Sequence, residues 1–382
     1  MSTRLASFPL GNADSTRLVL NDGRRLLFDF ADMGKSSGSD IIFNLEDEIR
    51  DDLRAGKRSG LSVLCYTHLD GDHCSHSKDT FWFEHSSTLQ SKDRIKFDEL
   101  WVPAAAIVET GLTHPDAKIV QKEARHRLRA GAGIKVFSSP KGLEDWLRND
   151  AKSGGLTLES REHCIVNAGE LVPGFSKMDT GGSEFFVHCP LSWRQDENDD
   201  VIRNEDSIVL HVTVRVGGRD NRVLLGSDVN SDTLTEIVKS TKRHGNAARL
   251  EWDVLKLFHH CSYKALNKDG KEDDPTKPVP HVKWLMEDQG SQGSIIISSS
   301  RKIPAKGSTD DNDQPPHRKA SNYYKPLQSN RGGRFMVTMD EPGKPTTVEF
   351  TSSGVRYLPA ALAAPAVAGG QAAASPARSG SE

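Results

Sequence analysis

The sequence predicts a layered α/β domain, with sheets inside and helices outside. Three observations carry this. Apolar strand-like runs alternate with charged helix-like runs, and no long helical block interrupts them. Residues able to bind a metal ion recur at the ends of the apolar runs. Those residues are spread from one end of the core to the other, which favours one domain over two. The bulk numbers allow it: 382 residues, 36% hydrophobic and 27% charged, supply enough apolar side chain for a large core.

Taken in order, "STRLVL" and "RRLLFDF" flank "NDG" and predict a hairpin. "LSVLCYT" is apolar nearly throughout, as a strand covered on both faces should be. "FDELWVP" is a further short strand, so the N-terminal third reads as β structure. From Ala117 to Asp150 the pattern turns helical, and the Gly154–Gly155 pair marks its end. Strands return with "SEFFVHCP", "DSIVLHVTVRV" and "NRVLLGSDV", followed by a helix at "SDTLTEIVKSTKRHG". The strand "WDVLKLFHH", a helical "HVKWLMEDQG", the strand "GSIIISSS", and the strands "GRFMVTM" and "TTVEF" complete the core. "RKIPAKGSTDDNDQPPHRKA" is polar and Pro-rich and reads as a long loop. We expect one domain over residues 1–358, and a disordered Ala/Pro/Gly/Ser-rich tail over 359–382.

A net charge of −3 gives no global basic field to draw the chain to nucleic acid or membrane. No run of about 18 apolar residues suggests a membrane span. The N-terminus lacks the apolar core of a signal peptide, and the five cysteines form no CxxC pair. Free thiols and a cytoplasmic location are the expectation.

The densest chemistry is "CYTHLDGDHCSH", residues 65–76, which places His68, Asp70, Asp72, His73 and His76 directly after an apolar strand. A lone HxD is most often a surface loop. Four ligand-type residues at spacing two, two and one are not, and imidazole with carboxylate suits zinc, iron or manganese. A turn at Gly71 can split them between two adjacent ions that share a carboxylate. The remaining ligands should then lie at other strand ends. His188 in "FFVHCP", Asp228 in "VLLGSDV", and His259 and His260 in "DVLKLFHHCS" are placed there.

This set resembles the metallo-β-lactamase fold superfamily, whose signature HxHxDH is followed by a His, an Asp and a His at later strand ends. More narrowly it is similar to the β-lactamase-like domain of the ComEC/Rec2 DNA-uptake proteins and its soluble stand-alone relatives. Asp70 makes the signature HxDxDH. "NEDS" followed by an apolar strand and "LLGSD" matches that family's N-x-x-S and L-x-G-D elements. "LKLFHHCS" matches its "vlKvpHHGS", with Cys261 in the glycine position. The resemblance covers most of residues 7–350 and is loosest over 77–180, which looks partly like an insertion and suits a protein partner.

The resemblance implies a four-layer αββα sandwich and a hydrolase with two divalent ions, zinc or alternatively manganese. His68, Asp70 and His188 would hold the first ion. Asp72, His73 and one histidine of the His259/His260 pair would hold the second, His260 being favoured with His259 then beside it, and Asp228 would bridge. Asp72 and Asp228 are the implied catalytic carboxylates. Asp14, Ser15 and Asp29 would support the metal loop. Ser262, Asn204, Arg301 and His317 are the candidate substrate contacts; Ser298, Asn322 and Lys325 in the same C-terminal stretch are weaker ones. The implied substrate is a phosphodiester, nucleic acid or nucleotide. A thioester, amide or ester hydrolase, or a metal-bound interaction module with little turnover, is the alternative.

Overall fold

The computed structural model describes residues 2–359 except 153, 198–200 and 309–313. The expected tail therefore lies outside the described residues but for Pro359. The described chain lays down β1 (Arg4–Ser7), β2 (Thr16–Val19), β3 (Arg25–Phe28), β4 (Gly60–Cys65), β5 (Lys96–Pro103), β6 (Ile134–Phe137), β7 (Ile165–Val166) and β8 (Ser183–Cys189). It continues with β9 (Val209–Val216), β10 (Arg219–Leu225), β11 (Trp252–Lys256), β12 (Gly290–Ser298), β13 (Arg334–Val337), β14 (Thr346–Thr351) and β15 (Gly354–Leu358).

These form two sheets. One has nine strands in the order β15-β14-β1-β2-β3-β4-β5-β6-β7, and the other six in the order β13-β12-β11-β10-β9-β8. Three apolar clusters show how they stack. One, with Phe28, Trp101, Phe185, Val212 and Val254, joins the two sheets face to face. A second packs the helices Leu45–Ala55, Pro115–Ala130 and Lys141–Asn149 on the outside of the nine-stranded sheet through Leu53, Leu128 and Leu147. A third packs the helices Ser231–Arg243, Pro280–Glu287 and Arg318–Asn330 on the outside of the six-stranded sheet through Ile237, Leu285 and Tyr324. Helix, sheet, sheet, helix is the expected four-layer sandwich.

The hairpin at Asn21–Gly23 joins β2 to β3 in antiparallel register, as its turn residues predict. Elsewhere several expectations give way. The helical reading of Ala117–Asp150 is interrupted by β6, because "IKVF" is too short a β-branched run to stand out between two charged helices. The second of these helices ends at Asn149, before the glycine pair. The helix Leu45–Ala55 breaks the expected all-β N-terminal third; its charged residues hide a buried Leu45, Ile49, Leu53 stripe at helical spacing. Part of the expected long loop is the start of the helix Arg318–Asn330. Within 77–180, β5, β6 and β7 extend the nine-stranded sheet, so much of that segment is built into the core.

The topology fixes where chemistry can occur. β3 through β7 run parallel, as do β10 through β13. The loops after β4, β10 and β11 therefore carry residues 66–73, 226–230 and 257–262 beyond the strand ends.

Candidate metal centre

At these strand ends Asp72, His73, Asp228 and His260 come together, each offering a ligand atom within 4.8 Å of the others. Three of the four are buried, and Asp72 has 41% of its side chain exposed. The Nε2 of His260 lies 3.1 Å from Asp228 Oδ2 and 3.5 Å from Asp72 Oδ2, and the Nε2 of His73 lies 3.6 Å from Asp228 Oδ2.

The far side of each imidazole is tied down. His73 Nδ1 donates to Asp29 Oδ2 at 2.9 Å, and Asp29 also accepts from the Thr67 amide at 2.7 Å and the Thr67 hydroxyl at 2.8 Å. His260 Nδ1 donates to the Ser299 carbonyl at 2.9 Å. A carbonyl only accepts, so Nδ1 of His260 carries a proton and Nε2 is the atom turned to the cluster. Such outer partners fix ring orientation in metal sites.

The imidazoles and carboxylates of the cluster shift one another. Burial alone would pull His260 down, but Asp228 and Asp72 raise it to about 9. His73 likewise lies well above its ordinary value: Asp29 and Asp228 overcome its burial. Burial would raise both Asp72 and Asp228, yet the two imidazoles hold them low. His68 Nε2, His73 Nε2, Asp228 Oδ1 and His259 Nδ1 are buried with no hydrogen-bond partner. Two of these atoms, His73 Nε2 and Asp228 Oδ1, belong to the cluster, and a bound ion would return the stability that they cost. The donor set fits a divalent ion of the zinc or manganese type.

Backbone strain marks the same place. His259, His260 and Cys261 take φ values of 46°, 49° and 65° in succession, a conformation that costs a non-glycine residue about 1–3 kcal/mol. That accounts for glycine in the "HHGS" pattern where this chain has Cys261. Asp29 also has positive φ, at 58°, which Asn tolerates equally. Asp29→Asn should therefore keep the fold, lose the charge behind His73 and weaken metal affinity about 10–100-fold in a chelator competition titration. Unchanged affinity would remove Asp29 from the centre.

His68 and Asp70 stand beside the cluster but not in it. The His68 ring lies 3.9 Å from that of His73, and its Nε2 is 3.6 Å from Asp70 Oδ2. Asp70 Oδ1 is 2.7 Å from an Arg203 nitrogen. His68 and Arg203 hold Asp70 well below the usual carboxylate range, against its partial burial.

His188 is a correction. It lies inside β8 rather than past its end, next to a register shift between Val187 and Cys189. Alternation sends Phe185 and Val187 between the sheets and turns His188 to the helical side. There its Nε2 donates to the Arg249 carbonyl at 2.9 Å and its Nδ1 accepts from the Thr241 hydroxyl at 3.1 Å. Burial lowers it to about 4 from an ordinary 6.5. The folded chain thus keeps His188 neutral where the unfolded chain takes up a proton. Stability should fall as pH drops from about 6.5 towards 4, by up to ~3 kcal/mol. His188→Gln should flatten that slope in urea titrations and leave metal content unchanged; loss of the ion would restore His188 as a ligand.

The expected substrate contacts do not gather at the cluster in one group. Ser262 is buried and caps the short helix after the histidine pair by accepting from the Lys264 amide. His317 is buried against the Tyr263 ring and accepts from the Tyr263 amide. Arg301 pairs with Asp40 at 2.7 and 2.8 Å. The Asn204 carbonyl accepts from the Ser207 hydroxyl at 2.7 Å. His76 has positive φ and contacts Ser36. Ser298 bonds Ser300 in the buried strand end, Asn322 bonds Asp274, and Lys325 lies over Phe335.

Two residues near the site were not singled out from sequence. Lys256 is buried beneath the centre and contacts Asp14 and the Gly226 carbonyl. Its signal was present: one lysine inside the apolar run "DVLKLF". Arg203, next to the N-x-x-S element, carried no such mark.

No family model matches the chain, and no curated protein does. Among solved structures it is similar to a diphosphatase from the PhnP family, at 11% identity over 77% of this chain and 85% of that chain, with a TM-score of 0.30. It is also similar to the metallo-β-lactamase GOB-18 from Elizabethkingia meningoseptica, at 12% identity over 72% and 83%, with a TM-score of 0.29. A third is the class B3 di-zinc metallo-β-lactamase LRA-12 from an Alaskan soil metagenome, at 9% identity over 85% and 92%, with a TM-score of 0.29. TM-scores this low leave the fold to be read from the sheet order and the three apolar clusters.

Proposed function

We propose that the protein is a metal-dependent hydrolase whose substrate is a phosphodiester, in nucleic acid or a nucleotide. The observation that carries the proposal is the cluster of Asp72, His73, Asp228 and His260, with both imidazoles presenting Nε2 inward. A divalent ion bound there, zinc or manganese, would supply a water of lowered pKa and positive charge for a developing oxyanion. His73 and His260 orient towards it through Asp29 and Ser299. Asp228 balances its charge from the buried side. Asp72, open to the cleft, positions the attacking water and can accept its proton. No cysteine is placed to act as nucleophile: all five are buried, and burial raises the thiol of Cys261 beside the pocket.

The choice of phosphodiester rests on the sequence resemblance to the ComEC/Rec2 domain. The five buried free thiols fit a reducing compartment, and we place the protein in the cytoplasm. No described helix is long and apolar enough to cross a membrane.

The test is a substrate panel: bis-p-nitrophenyl phosphate, single- and double-stranded DNA, RNA, cyclic nucleotides and thioesters. Cleavage of phosphodiesters that disappears with chelator and with Asp72→Ala is the expected result. Turnover of thioesters alone rejects the substrate class, and metal binding without turnover of any of them makes the chain an interaction module.

A further inference from the structure

We infer that the centre holds a single divalent ion, and that the Arg203 guanidinium stands where a second cation would, as the anion-binding group of the cleft. This rests on the hydrolase reading above. The signature predicts a second ion at His68 and Asp70, and the residues present do not fit one.

Three observations support this. First, the expected third ligand, His188, is turned to the opposite face of β8 and hydrogen-bonded to Arg249 and Thr241. Among the described residues, no group of three imidazole, thiol or carboxylate ligands within 4.8 Å of one another includes His68 or Asp70. Second, Asp70 is already tied to a cation: its Oδ1 lies 2.7 Å from Arg203, while its Oδ2 stands 3.6 Å from His68 Nε2. A cation placed on Asp70 would meet the guanidinium, and like charges at that range repel.

Third, Arg203 is held from behind. Its Nε donates to Glu109 Oε1 at 2.6 Å, and a second nitrogen approaches the same oxygen at 2.5 Å. These contacts use three of the five guanidinium donors. About a third of the side chain remains exposed, at 34%. The turn that carries Arg203 leads into Ile208, whose amide donates to the Thr67 carbonyl at 3.0 Å, so it is tied to the metal loop. The result is a permanent planar cation, positioned by two carboxylates, with donors left for an anionic oxygen. Such forks match phosphate geometry.

The test separates the two proposals. Purified protein equilibrated with zinc, then freed of excess metal, is assayed for metal by elemental analysis, and inorganic phosphate binding is measured by calorimetry on the loaded protein. We expect one ion per chain in wild type, Arg203→Ala and Arg203→Lys. Phosphate affinity should fall about tenfold or more in Arg203→Ala and recover in part in Arg203→Lys, which keeps the charge without the fork. A role confined to holding Asp70 would not move phosphate affinity. Two ions in wild type, one of them lost with Asp70→Ala, would overturn the inference and leave the hydrolase reading standing. So would phosphate affinity unchanged in Arg203→Ala. No ion in wild type would overturn the hydrolase reading itself.

Discussion

Asp228→Asn should strip the ion from the protein and lower hydrolysis on the order of 10³-fold. Asp228 is 4% exposed, with one oxygen 3.1 Å from His260 and the other without a partner. Among the described residues it is the one buried carboxylate that faces both inward imidazoles of the cluster. An amide of the same shape keeps the packing and removes the charge that a cation needs, so the fold should survive. Elemental analysis and initial rates on the same preparation check this. A variant that kept its ion and half its rate would place the chemistry elsewhere.

The largest stability effect should come from beneath the site. Lys256 is 4% exposed and Asp14 1% exposed, and they contact each other between the sheets. Removing one partner of a buried pair strands the other charge, at a cost of about 3–5 kcal/mol. Lys256→Met should therefore lower the urea midpoint sharply. Asp14→Asn added to it should restore most of the loss, since the double variant leaves no charge uncompensated. A single substitution costing under about 1 kcal/mol would show that the pair does not support the fold. The Asp14 amide donates to the Asp72 carbonyl at 2.9 Å, so the single variant should also loosen the metal loop.

Most of the strands were legible because they are covered on both faces and read as unbroken apolar runs, as in "LSVLCYT" and "GSIIISSS". Missed elements had ambiguous local signals. β6 is four residues between two charged helices, β1 opens on "RLAS", and the helix Leu45–Ala55 buries three apolar positions in eleven. Their type was decided by the neighbours available to pack on, which propensity does not encode.

By itself the sequence determined that sheets lie inside and helices outside, and it set His73, Asp228 and His260 past the ends of apolar runs whatever their exact register. It could not determine the direction of His188, which lies within a strand. There a side chain's face depends on register and on a local bulge, and one residue of slip reverses it. Nor could it bring Arg203 to Asp70, a pairing between residues 133 positions apart. Only the tertiary structure decided those two points, because each depends on where one element comes to rest against another rather than on what the chain does locally.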